Sequence, residues 1–148
     1  MKKLFQLLFA YSQKVLGAQA ELGPQNMVPG FTASSAYNTL GATKYIVVQA
    51  TGARTAMQCI NPTSTAVLGV MQNNPKLGEA MSIAYMGPSK IVAGGAVAAN
   101  AIITSNASGR ATAATSGDIA IGRCLEAATT DGDVVSVLLF HPVRWSGA

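Results

Sequence analysis

Apolar and polar positions fall into two regimes along this 148-residue chain. Placed at 100° per residue, Leu4, Phe5, Leu7, Leu8, Phe9, Tyr11, Val15 and Leu16 gather on one broad face, with Gln6, Ala10, Gln13 and Lys14 opposite. This pattern predicts an amphipathic helix within residues 1–22, its Leu4–Leu8–Tyr11–Val15 seam packed on another surface. Gly17 and then Gly23-Pro24 supply its end. Residues 23–43 lose all periodicity and read as an extended linker, in which Phe31 and Tyr37 either pin a neighbouring surface or pack on their own domain.

From residue 44 to 148 the period becomes that of strands. The expected runs are Lys44–Ala50, Thr55–Ile60, Ala66–Met71, Glu79–Met86, Lys90–Ala93, Ala101–Thr104, Ala111–Ala114, Ile119–Glu126 and Val134–Phe140. Turn pairs such as Gly87-Pro88, Gly94-Gly95 and Ser116-Gly117 punctuate them, and Asp131-Gly132 is the sharpest hairpin signal. Short strands at this spacing indicate a sandwich or barrel. Val97–Ile103 admits a short helix, although Gly94-Gly95 and Asn100 oppose it. Inward positions are mostly Ala, Val and Ile, which suits a tightly wound barrel with a packed interior. The expected fold class is therefore all-β, a compact barrel with an amino-terminal helical arm.

Composition narrows the class further. With 49% apolar and only 11% charged residues, the chain is no disordered polymer. The first twenty residues also imitate a secretory signal, with Lys2-Lys3, an apolar centre and Ala18-Gln19-Ala20, but Gln6, Gln13 and Lys14 interrupt that centre. A helix lying on a membrane surface is a further reading of the same face. The net charge of +4 invites nucleic acid, yet beyond Lys2 and Lys3 the cations stand singly and aromatics make up only 6%. The expectation is no nucleic-acid and no membrane partner, the excess cation serving solubility or an acidic partner.

Catalytic chemistry finds no constellation. His141 is the sole histidine and precedes Pro142, so neither a histidine triad nor a two-histidine metal site can be built in one chain. Asp118, Asp131 and Asp133 sit beside glycines as turn acids, and Cys59 and Cys124 lie among strand residues as buried thiols. The sequon at Asn106-Ala-Ser108 has meaning only in a secreted eukaryotic protein. No phosphate loop occurs, and no catalytic residue, cofactor or metal is expected.

The order of several stretches is more telling than any one of them. AVLGVMQ (66–72), GEAMSIAYM (78–86), KIVAGGAVAA (90–99), GRATAAT (109–115) and GRCLEAATTDGDVVSV (122–137) together resemble the decoration, or cement, proteins of tailed-bacteriophage heads. The resemblance covers Ala66 to Phe140 and leaves the amino-terminal segment aside; Asn100 stands where a glycine is often found. It implies a β-barrel or β-tulip domain that assembles as a homotrimer on the outer surface of the capsid. There it binds the major capsid protein and holds capsomers together. On that reading the partner contacts fall to Lys2, Lys3, Leu4, Phe5, Leu8, Phe9, Tyr11 and Val15, with Phe31 and Tyr37 as further anchors; the alternative for the apolar helix face is to cap its own barrel or to bundle with two symmetry mates. The alternatives are another virion part, such as a receptor- or glycan-binding module, and a trimeric β-fold hydrolase of the dUTPase kind, whose glycine-rich motifs are absent here.

Overall fold

The computed structural model describes residues 27–34, 44–58 and 61–147. The expected helix over 1–22, together with Tyr37 and Cys59, lies outside them. Eleven strands form among the described residues, and no helix. They are β1 (Met27–Val28), β2 (Thr32–Ala33), β3 (Val47–Ala50), β4 (Thr55–Gln58), β5 (Val67–Met71), β6 (Ile83–Ala84), β7 (Gly87–Gly94), β8 (Ile102–Ser105), β9 (Ala111–Ala113), β10 (Ile119–Cys124) and β11 (Asp131–Arg144).

The second half of the chain closes a five-stranded barrel in the order β10-β11-β7-β9-β8. All its pairings are antiparallel except the single parallel contact of Ala93 with Ala111. Alternation along β11 turns Val135, Val137 and Leu139 inward and leaves Val134 and Leu138 in solvent, as a half-buried strand requires. Ile91, Ala93, Ile103, Ala111, Ile119 and Ile121 complete this core. Small residues are needed because five strands enclose little volume. Gly122 is one such need, since a Cβ there would sit 2.7 Å from the Leu138 carbonyl oxygen. Thr104 and Ser105 are the buried polar exceptions, and the Thr104 hydroxyl donates to the Ile119 carbonyl at 2.8 Å.

The first half forms a six-stranded sheet, β1-β6-β5-β3-β4-β2. Its far edge curls back on the segment before β6: Met81 N donates to Phe31 O, Ala33 N to Glu79 O, and Thr32 bridges Ala80. The curl encloses a second core of Ala33, Ile46, Val48, Ala56, Met71, Met81, Ile83 and Val92. Strand period sorts neighbours between the two cores. Val47, Val70 and Ala84 face the barrel, while Val48, Met71 and Ile83 face the curl.

Five local expectations change. Gly87-Pro88, expected as a turn pair, instead opens β7 and pairs with Leu139 and Leu138 of β11. Within the stretch expected to run as a linker, Met27–Val28 pairs with β6 and Thr32–Ala33 lies parallel to β4, the two joined by a turn at Pro29-Gly30. The run expected over Glu79–Met86 contracts to Ile83–Ala84, because residues 76–81 turn back to meet β2. No helix forms at Val97–Ile103: Val97 and Ala128 exchange backbone hydrogen bonds and a turn at Ala98–Ala101 follows. Asp131-Gly132 is not the centre of a two-residue hairpin. Asp131 already pairs with Gly94, the register shifts before Val134, and the β10–β11 connection spans residues 125–130. The positive φ of 93° at Gly132 serves a bulge in β11, another use of the same conformational freedom.

Candidate functional site

The described acids hold loops together. Asp133 accepts the backbone N–H groups of Thr129 and Thr130 at 2.8 and 2.9 Å, and these bonds hold its carboxyl down to about 2. Asp118 accepts from Thr115 N at 2.8 Å and Glu79 from Lys76 N at 2.7 Å. Glu126 accepts from Ser136 N at 2.5 Å, which lowers its pKa, and lies 3.5 Å from the Lys90 ammonium. Asp131 takes both its contacts from Arg110 at 2.7 Å. Every described carboxylate is thus engaged with backbone or a cation, and Lys44, Arg54, Lys76 and Arg123 are exposed.

The residues weighed for chemistry do not converge. No group of three His, Cys, Asp or Glu side chains that could hold a metal occurs among the described residues. His141 lies exposed near the end of β11, its Nδ1 3.0 Å from the Pro142 carbonyl. Cys124 is buried in the barrel, its Sγ 2.9 Å from the Glu126 carbonyl, and burial pushes its thiol pKa up. Asn106, the sequon residue, organises the β8–β9 turn: its Oδ1 accepts from Ser108 N and Arg110 N at 2.8 and 3.0 Å.

Apolar surface is where the structure offers a site. Four separated segments line one open groove of about 410 Å³ between the end of the first sheet and the barrel. Met27, Val28 and Pro29 come from β1 and its turn, and Val67 and Leu68 from the start of β5. Tyr85 follows β6, and His141 with Pro142 comes from the part of β11 beyond its last pairing with β7, Leu139 with Gly87. All but His141 are apolar or aromatic, so the groove suits a hydrocarbon surface rather than an ion or a sugar. Of the sequence-expected contacts, Phe31 is half-buried and packs on the second core, so it is an anchor of its own body. Lys2, Lys3, Leu4, Phe5, Leu8, Phe9, Tyr11, Val15 and Tyr37 lie outside the described residues. The groove residues carried no local signal, because four short pieces become a site only once the two halves pack.

Comparison with known proteins decides the family. The family described as phage cement protein matches residues 32–139, more than two thirds of the chain. The chain belongs to the phage cement proteins. This cement protein is therefore a virion structural protein, carried on the outer surface of the phage head. A search of curated protein sequences finds no match. Among solved structures, the cement protein is similar to the N base of the head fiber protein gp8.5 of bacteriophage phi29. That match has a TM-score of 0.57 at 15% identity and covers 80% of this chain and 99% of the other. At that identity the likeness concerns the fold.

Proposed function

We propose that this protein binds the major capsid protein as a homotrimer and stabilises the contacts between neighbouring capsomers. The family match over residues 32–139 carries the reading. Physically, cement must resist deformation and adhere. Two cores joined through shared strands and loops stapled by carboxylates favour stiffness. Adhesion falls to the amino-terminal segment, with Leu4, Phe5, Leu8, Phe9, Tyr11 and Val15 meeting apolar capsid surface and Lys2 and Lys3 meeting acidic groups. Three copies of a modest contact acting together gain avidity without any single large interface. A β body of this fold also forms the N base of the phi29 head fiber, a likeness compatible with a role on a head.

The test uses heads prepared without the protein. Added back, the full chain should saturate them and raise the temperature at which they release DNA, and the chain lacking residues 1–20 should bind much more weakly. Equal occupancy by the truncated chain would remove the arm from the reading; unchanged DNA release at full occupancy would remove the stabilising role.

A further inference from the structure

The apolar groove has a wall that is also a point of attachment. Met27 lines it, and the 26 residues before Met27 include the most apolar one-sided stretch in the sequence. We propose that, before the protein meets a head, this groove is the seat of the chain's own amino-terminal segment, through the apolar face of Leu4–Leu16. The chemistry of the lining asks for hydrocarbon, since among the described lining residues His141 is the one ionisable side chain apart from the tyrosine. The apolar face, for its part, needs cover, because a second contiguous greasy patch on a soluble body invites aggregation.

Tether length selects this occupant. Ten residues separate Leu16 from Met27, a reach of at most about 40 Å when extended. Gly17 and Gly23-Pro24 within them allow the chain to reverse direction. A segment held so close has an effective concentration of order millimolar, well above that of any free partner or second copy in dilute solution. On the head, the larger apolar surface of the coat then competes for the same face. Because the inference concerns the free protein, it stands or falls separately from head binding.

The experiment is site-specific photo-crosslinking in the full chain. A benzoylphenylalanine in place of the exposed His141 is irradiated in a dilute equal mixture of isotopically light and heavy protein, denatured and refolded together so that any oligomer holds both labels, and adducts are mapped by mass spectrometry. Adducts to residues 4–16 of the same chain are expected. The double substitution Phe5→Asp/Leu8→Asp should cut their yield about tenfold, as charges entering an apolar seat must. Gln6→Asp/Gln13→Asp, on the opposite face, should leave the yield unchanged. Adducts joining light to heavy chains would assign the groove to a second copy and overturn the proposal. Adducts absent from residues 1–26, or a yield indifferent to Phe5→Asp/Leu8→Asp, would overturn it as well.

Discussion

Ile91 and Val92 are consecutive residues of β7, yet they belong to different hydrophobic cores. Ile91 packs inside the barrel, while Val92 faces the curl of the first sheet beside Val48 and Met71. Backbone bonds tighten the seam: Val92 N donates to Tyr45 O at 2.8 Å and Val47 N to Gly109 O at 2.7 Å. Two cores joined in this way should unfold as one. Ile91→Ala is expected to cost about 2–4 kcal/mol and Val92→Ala about 1–2 kcal/mol. In urea, far-UV circular dichroism, which sees both sheets, should coincide with fluorescence of Trp145, which is bonded to the barrel at Asp118 and Gly117. Separated transitions would show that the halves are independent.

Gly69 makes the sharper stability prediction. It sits in β5 opposite Val48, where the β3–β5 register shifts. Its φ is +151°, and an added Cβ would lie 2.8 Å from the Ala84 carbonyl carbon and 3.0 Å from the Tyr85 Cα. Those are backbone atoms of the neighbouring β6 region, which cannot swing aside as a side chain would. Gly69→Ala should therefore destabilise by about 3 kcal/mol or more, a magnitude reserved for steric conflict in a core. Gly52→Ala, whose Cβ would meet nothing within 4 Å, should cost only about 1 kcal/mol of backbone strain. Urea midpoints for the two variants, compared at equal m-value, check the difference.

Asn100 occupies a backbone conformation that glycine takes most readily: it holds φ +66° and its N–H donates to the Cys124 carbonyl at 2.8 Å. Asparagine enters the left-handed region more readily than other side chains do, so the turn keeps its shape. Asn100→Gly should be neutral within about 0.5 kcal/mol, whereas Asn100→Val should lose about 1–2 kcal/mol, because a β-branched residue resists that conformation. Thermal unfolding of the three proteins side by side measures it.

The same contrast explains what could be read from residues alone. β5, β8, β9 and β10 start and stop within two residues of the runs expected for them, because β-branched stretches bounded by turn residues carry their own boundaries. β1 and β2 have two residues each, too few to show any period, and their partners β6 and β4 lie some 20–60 positions away in sequence. The sorting of Val47 from Val48 between two cores is invisible for another reason: a strand buried on both faces reads simply as apolar. The groove required both halves in place before Val67 and Pro142 could share a wall. Asp131-Gly132 announced a positive φ correctly, but a bulge and a hairpin use that conformation alike.

Asp133 carries a dependence on acid. Its carboxylate receives the N–H and hydroxyl groups of Thr129 and Thr130, and these bonds hold its pKa at about 2, against 3.8 for the free side chain. A carboxyl whose folded pKa lies below its unfolded value stabilises the fold above the unfolded value, and loses that contribution as pH falls through the folded one. The loop before β11 should therefore hold at pH 5 and loosen between about pH 4 and pH 2. Asp133→Asn keeps the shape and removes the charge, so its stability deficit against the native chain should be constant above about pH 5 and shrink below pH 4. Urea unfolding of both proteins at half-unit steps from pH 6 to pH 2 measures the deficit, and a deficit unchanged at pH 2 would mean that something other than the ionised carboxylate secures this turn.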